Sequence, residues 1–239
     1  MCLAVPMKVE QVEGNPEDFT SEQLATVNLD QNSSPLVLVD IARPVPGNGE
    51  VLVEVSVCGV CHTELDEIEG RTAPPAFPVV PGHEIVGKVV GLGLGCQERT
   101  VGERVGIGWI HSSSGSDDEN LSNEFRATGR DADGGYAEYV VVPETYAFPL
   151  PAEFSDAEAA PLLCAGSVGY RSLRLANMEN GQVLGLTGFG GSGHLVLQMA
   201  RHLYPDAKLY VFARSAAERQ FALDLGADWA GATEDPPPS

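Results

Sequence analysis

Hydrophobic positions along the first two thirds of the chain come in short runs separated by glycine and proline. Leu36 to Ile41 and Val51 to Val57 are apolar, and Pro44-Val45-Pro46-Gly47-Asn48-Gly49 divides them as a turn. In the second run Val51, Val53, Val55 and Val57 share one face, the pattern of a half-buried strand. Ile85 to Val90, Val101 to Ile107 and Tyr136 to Val142 read the same way. Residues 1–33 are polar and irregular by the same measure, with Asn15-Pro16-Glu17-Asp18 and Gln31-Asn32-Ser33-Ser34-Pro35 as loop signals. A β-rich first part follows from this spacing.

The periodicity changes near residue 155. Ser155-Asp156-Ala157-Glu158 has the form of a helix N-cap followed by acidic residues. Residues 168–178 read as a helix, Gln182 to Thr187 as a strand and Gly188 to Gly193 as a glycine-rich turn. His194 to Leu203 then reads as a helix, Leu209 to Ala213 as a strand and Ala216 to Leu225 as a helix. Strand, turn, helix and strand make one βαβ unit of a parallel sheet, where a complete doubly wound domain has five or six strands. The chain closes on Glu234-Asp235-Pro236-Pro237-Pro238-Ser239, a tail-like segment.

Composition narrows the class. The chain has 239 residues, 43% hydrophobic and 20% charged, which suits a globular protein with a sizeable core. Its 14 Lys+Arg against 34 Asp+Glu give a net charge of −20, which argues against a nucleic-acid partner. No run of roughly 18 apolar residues is present, so no membrane span is expected. The opening Met1-Cys2-Leu3-Ala4-Val5-Pro6 is short and lacks a basic region, so a secretory signal is not expected either. Five cysteines, an odd number, point to reduced thiols in a cytoplasm rather than a disulfide framework.

Four short motifs carry candidate chemistry. Cys58-Gly59-Val60-Cys61-His62-Thr63-Glu64 holds a Cys-x-x-Cys without a second cysteine pair, so metal ligation and simple burial both remain open. Pro81-Gly82-His83-Glu84 places a histidine beside a carboxylate and after a glycine; a histidine in a surface turn is the alternative. Pro161-Leu162-Leu163-Cys164-Ala165-Gly166 puts a cysteine on an apolar helix, which taken alone favours a core residue. Together Cys61, His83 and Cys164 form a Cys2His set, the pattern of a catalytic zinc with one position open. The fourth motif, Gly188-Phe189-Gly190-Gly191-Ser192-Gly193, is a Gly-x-Gly-x-x-Gly between strand and helix, suited to a dinucleotide pyrophosphate.

These motifs, with Gly134-Gly135-Tyr136-Ala137-Glu138-Tyr139, stand in the order seen in zinc-dependent medium-chain alcohol dehydrogenases, which the chain resembles over roughly residues 36 to 232. The resemblance implies an α/β protein with a GroES-like β-barrel catalytic domain and an incomplete Rossmann-type parallel sheet. It places the catalytic domain over residues 34–164 and part of the coenzyme-binding domain over 165–239, after an N-terminal extension over 1–33. It implies interconversion of alcohols and aldehydes or ketones by zinc-assisted hydride transfer with NAD(P), on small-molecule substrates, and is compatible with a homo-oligomer. By resemblance Cys61, His83 and Cys164 hold the zinc, and Glu84 is the carboxylate that approaches the metal. Thr63 starts a proton relay from the substrate hydroxyl, Glu64 orients His83, and His62 lies near the coenzyme pyrophosphate. Gly188, Gly190, Gly191 and Gly193 form the coenzyme loop, and Arg214 and Ser215 stand beyond the second strand. That strand ends without the carboxylate usual for NAD, and Arg214 suits a 2′-phosphate, which tilts the expectation to NADP over NAD.

The chain departs from the family in four places. The relay histidine is absent, with Asp66 or Glu69 in its neighbourhood. The stretch from Trp109 to Ser122 has no cysteine, Ser114 and Ser122 standing where the first and last would be, so one catalytic zinc and no structural zinc is expected. His111 is expected in a loop there. The family continues beyond the point corresponding to Ser239, so a C-terminally truncated member is expected, with a non-catalytic zinc- or nucleotide-binding remnant as the alternative. The first residues, Met1-Cys2-Leu3-Ala4-Val5-Pro6-Met7-Lys8-Val9, resemble small hydrogenase-maturation chaperones of the HypC type, whose Cys2 binds iron, which adds a metal-delivery fusion as a further alternative.

Overall fold

Valines and isoleucines at alternate positions build the first unit around a five-stranded antiparallel sheet. A computed structural model describes residues 22–27 and 36–238. The strands are β1 (Glu22–Val27), β2 (Val37–Ala42), β3 (Glu50–Cys58), β4 (Ile85–Leu92), β5 (Arg104–Ile107), β6 (Ile110–Ser112), β7 (Arg126–Ala127), β8 (Tyr139–Pro143) and β9 (Phe148–Pro149). The main sheet runs β8-β3-β4-β5-β9 with antiparallel neighbours. β1 pairs with β2 and β6 with β7, also antiparallel.

The inward residues Val51, Val53, Val89, Val105, Ile107, Val140 and Val142 form one core cluster with Cys58, Tyr136 and Tyr146. Close strand approach requires glycine once: a Cβ on Gly87 would lie 2.2 Å from the Glu54 carbonyl oxygen. The register of β3 against β4 shifts between Leu52 and Val53 and between Val55 and Val57, which bends the sheet. Helix α1 (His62–Ile68) follows β3, and α2 (Asp156–Ala159) leads into a 3-10 turn over Ala160–Leu163. Ser155 caps α2 as its sequence predicts, accepting from the Glu158 N–H at 3.4 Å.

The described residues fall into two compact units that meet in sequence at Cys164 and Ala165. The second holds α3 (Ala165–Ala176), β10 (Val183–Thr187), α4 (Gly191–Leu203), β11 (Lys208–Phe212), α5 (Ala216–Asp224) and β12 (Trp229–Gly231). Its sheet is parallel in the order β10-β11-β12. Leu209 and Val211 point into a cluster with Leu197, Ala200 and Ala222, all fully buried. Small residues let the helices approach: a Cβ on Gly169 of α3 would lie 2.6 Å from Val196 of α4.

Several elements differ from the sequence expectations. β1 falls within a stretch that reads as irregular, because its six residues lack a strong apolar alternation and owe their order to pairing with β2. The strand expected from Val101 begins only at Arg104, since Gly102 takes a φ of +91° in the preceding turn. His111 lies on β6 and is buried rather than in a loop. Cys164 is not on a helix: it stands between the 3-10 turn and α3 with φ −119° and ψ −77°. The Met1–Val9 resemblance and its Cys2 lie outside the described residues. Among the described residues, no helix is long and apolar enough to cross a membrane.

Candidate metal centre and nucleotide loop

Three segments far apart in sequence deliver four ligand-type side chains to one place. Donor atoms of Cys61, His83, Glu84 and Cys164 all lie within 4.8 Å of one another. His83 Nε2 is 3.3 Å from Cys164 Sγ, and the Cys61 and Cys164 sulfurs are 3.9 Å apart.

Cys61 is the N-cap of α1, with extended backbone at φ −100° and ψ 163°. Its N–H donates to Glu64 Oε2 at 2.7 Å, which closes the first turn. The other Glu64 oxygen lies 2.6 Å from His83 Nδ1, and both groups are buried. One carboxylate therefore fixes both the helix start and the imidazole orientation, leaving Nε2 toward the sulfurs. Thr63 Oγ1 lies 3.5 Å from Cys61 Sγ. Cys58, the other half of the Cys-x-x-Cys, is outside the cluster: its buried thiol, pushed up by burial, packs beneath Gly82 and Gly135.

Glycines carve the room. Gly82 has φ +99°, and a Cβ there would lie 2.7 Å from Tyr136 and 2.8 Å from Cys58 Sγ. Gly134, Gly135 and Tyr136 donate their N–H groups to the carbonyls of Val80, Gly82 and Pro81, at 2.7, 2.9 and 3.0 Å. The Gly-Gly-Tyr motif thus acts as a backbone splint for the segment that presents His83. A Cβ on Gly59 would lie 2.0 Å from Glu84 Oε2, so glycine is what admits that carboxylate. Cys164 is seated by Leu163, whose side chain lies over Gly106 and whose carbonyl lies over Gly108.

Burial and mutual hydrogen bonding set the electrostatics of the cluster. Neither buried Glu84 oxygen accepts a well-formed hydrogen bond. Burial pushes its carboxyl up to about 7, although His83 and Cys164 act the other way. Cys164, and then His83 and Thr63, hold the Cys61 thiol well below its usual range against the effect of burial. Burial disfavours the His83 cation, but Cys61 and Glu64 outweigh it and raise the imidazole to about 10. Two sulfurs, one imidazole and an unsatisfied buried carboxylate suit a borderline-soft dication such as zinc, so the residues fit that metal.

Two neighbours were not marked by any sequence motif. Trp109 stands edge-on to His83 with centroids 4.9 Å apart. Glu67 shares the buried face of α1 with Glu64, one turn on, and has one oxygen without a partner. Burial, then the Glu64 charge, pushes its carboxyl up to about 8. The spacing of Glu64 and Glu67 on one helix face was the available signal. Asp66 and Glu69 instead pair with Arg71 near the surface. His62 is exposed on α1, 4.0 Å from Asp66.

In the second unit, β10 runs into the glycine loop. Gly188 takes φ +82°, and its N–H donates to the Phe212 carbonyl at 2.8 Å. A Cβ on Gly193 would lie 2.6 Å from the Gly188 oxygen, so only glycine lets α4 begin this close to the strand. A Cβ on Gly188 or Gly190 would meet nothing within 4 Å, and that open side leaves the backbone approachable. Gly191 begins α4. Phe189 points inward, 4% exposed, and packs edge-on against Phe221 at 5.6 Å. Arg214 is exposed beyond β11, and Ser215 caps α5.

A five-stranded antiparallel sheet unit carrying a cluster of two cysteines, a histidine and a glutamate, followed by a parallel unit with a glycine loop, defines a GroES-like domain joined to a Rossmann-type fold. Residues 47–152 match the alcohol dehydrogenase GroES-like domain. The probable alcohol dehydrogenase AdhA of Mycobacterium tuberculosis is 44% identical over 218 residues, covering 87% of this chain and 62% of the relative. The acetophenone reductase of Geotrichum candidum, solved with NAD, superposes with a TM-score of 0.78 at 28% identity, covering 90% of this chain and 64% of its own. The Helicobacter pylori protein named CAD, solved with NADP(H), superposes with a TM-score of 0.79 at 25% identity, covering 89% of this chain and 65% of its own. The chain is thus similar to alcohol dehydrogenases of the medium-chain family over most of its length, and residues 47–152 carry their GroES-like domain. It spans about three fifths of the length of the curated relative, 62%.

Proposed function

We propose that the chain carries the metal site and part of the coenzyme site of an oxidoreductase that interconverts small alcohols with aldehydes or ketones using NAD(P). The observation that carries this reading is the convergence of Cys61, His83 and Cys164 beside a buried, unsatisfied Glu84. Residues 34–164 are the catalytic domain in this reading, 165–239 belong to the coenzyme domain, and 1–33 form an extension.

Cys61, His83 and Cys164 would hold one zinc ion, with Glu84 as the carboxylate that can turn toward it. When bound, zinc supplies Lewis-acid polarisation of a substrate oxygen. Glu64 keeps His83 oriented through Nδ1, and the 2.6 Å contact is what supports that role. Thr63 Oγ1 would accept a hydrogen bond from the substrate hydroxyl and so stand first on the path by which its proton leaves. The loop of Gly188, Gly190, Gly191 and Gly193 cradles the coenzyme pyrophosphate, and Arg214 and Ser215 flank the adenosine ribose; His62 is a coenzyme-binding residue in the same reading.

A single metal per chain is part of the proposal. The stretch after β6 contains no cysteine, and hydrogen bonds occupy it instead: Ser113 Oγ donates to the Glu119 carbonyl at 2.7 Å, and the Tyr146 hydroxyl donates to Glu119 Oε2 at 2.8 Å. The net charge of −20 fits a small-molecule enzyme of the cytoplasm rather than a nucleic-acid binder. A homo-oligomeric assembly is compatible with this reading. Elemental analysis should find about one zinc per chain, lost in Cys61→Ser. Alcohol oxidation or aldehyde reduction with a nicotinamide coenzyme should disappear in Cys164→Ala. Two zincs, or none, would overturn the site assignment.

A further inference from the structure

The end of β11 has no carboxylate of its own, yet the fold brings one there. Ser215 is the N-cap of α5, with φ −87° and ψ 144°. Glu218, three residues on, turns back over it in a capping box. Its Oε2 accepts from the Ser215 hydroxyl at 3.0 Å and from the Ser215 N–H at 3.3 Å, while the Glu218 N–H donates to Ser215 Oγ at 3.1 Å. The Glu218 carboxylate therefore sits at the carboxyl end of β11, beside the Ala213-Arg214-Ser215 turn. This is where a Rossmann-type fold meets the adenosine ribose.

Three charged groups surround that turn, and their partners decide what it can take. The Arg219 guanidinium donates to the carbonyls of Ala213 and Arg214, both at 2.8 Å, and so spends itself on backbone. Arg214 is exposed, and its charge acts on Glu218. Hydrogen bonds from the Ser215 hydroxyl and N–H, reinforced by Arg214, hold the Glu218 carboxyl below the usual range, so it is ionised at neutral pH. A ribose 2′-hydroxyl can donate to such a carboxylate. A 2′-phosphate would compete with it for the Ser215 donors and face a like charge at hydrogen-bond range.

We infer that Glu218 is the specificity-determining residue of the coenzyme site and that it selects NAD(H) over NADP(H), against the preference suggested by Arg214 alone. The inference rests on the coenzyme reading of the glycine loop and deepens it.

Calorimetric titration of the intact chain with NADH and with NADPH tests it without any turnover. The wild type should bind NADH more tightly, by roughly tenfold or more. Glu218→Gln keeps the capping box but removes the charge. It should narrow that ratio mainly by strengthening NADPH binding, with only a small fall in the thermal midpoint. Tighter NADPH binding by the wild type, or an unchanged ratio in Glu218→Gln, would overturn the inference while leaving the coenzyme reading intact. Binding of neither nucleotide would overturn the coenzyme reading and this inference with it. The wild-type ratio stands as a test even if the variant does not fold.

Discussion

The metal centre and the nucleotide loop use glycine in opposite ways. Around His83 and Glu84, glycines are crowded: a Cβ on Gly59 or Gly82 would lie within 2.0 to 2.8 Å of Glu84, Tyr136 or Cys58. At the start of α4, Gly188 and Gly190 have nothing within 4 Å of an added Cβ. The first kind of glycine makes room for the protein's own side chains, so it belongs to stability. The second leaves a backbone surface open, which is what the proposed coenzyme role requires. The same residue type thus reports packing around His83 and Glu84 and access at Gly188 and Gly190, while Gly193 of the same loop is crowded like the first kind.

That contrast can be broken in order of expected effect. Cys61→Ser or His83→Ala should reduce bound zinc from about one per chain to near zero by elemental analysis, because two remaining ligands do not hold it. Gly59→Ala should cost roughly 3 kcal/mol in urea unfolding, since its Cβ displaces Glu84. Gly190→Ala, at a φ of −90° open to any residue, should cost less than about 1 kcal/mol while weakening coenzyme binding. Equal stability losses in these two variants would remove the distinction.

Glu64→Gln should weaken zinc affinity by about ten- to a hundredfold in competition with a chelator, through loss of the contact that orients His83. The smallest effect concerns the second unit alone. Burial would raise the Asp228 carboxyl, but the Leu209 N–H, Arg201 and Lys208 hold it down at about 2, from an ordinary 3.8. A lowered carboxyl stabilises the fold above its unfolded value and loses that contribution as pH falls from about 4 toward 2. Asp228→Asn should flatten this part of the acid unfolding curve, and an unchanged curve would show that the network is inert.

Much of this was readable along the chain, and the gaps have physical causes. The valine alternation of β3 and the βαβ order of β10, α4 and β11 were legible because local periodicity reflects which face is buried. β1 was not, because pairing with β2 rather than its own pattern holds it. The Ser155 cap was legible as a motif, but the Ser215 cap and the position of the Glu218 carboxylate at a strand end were not, since they depend on the path of the turn. Reading the strand end as Arg214 alone favoured NADP, and the capping box reverses that preference in the inference drawn above. Asp66 and Glu69 stood out by position in sequence, whereas Glu67 is the acid that the helix rotates inward.

By itself the sequence determined which chemistry was available: cysteines and a histidine able to hold a borderline-soft cation, glycines able to expose backbone, and a net charge of −20. Tertiary structure alone decided which of those residues meet. Cys61 and Cys164 lie 103 positions apart and end 3.9 Å from each other, while Cys58, only three positions from Cys61, is turned away beneath Gly82. Ligand geometry depends on distances of a few ångströms between segments carried by different strands and turns, and no local pattern in a chain records such distances.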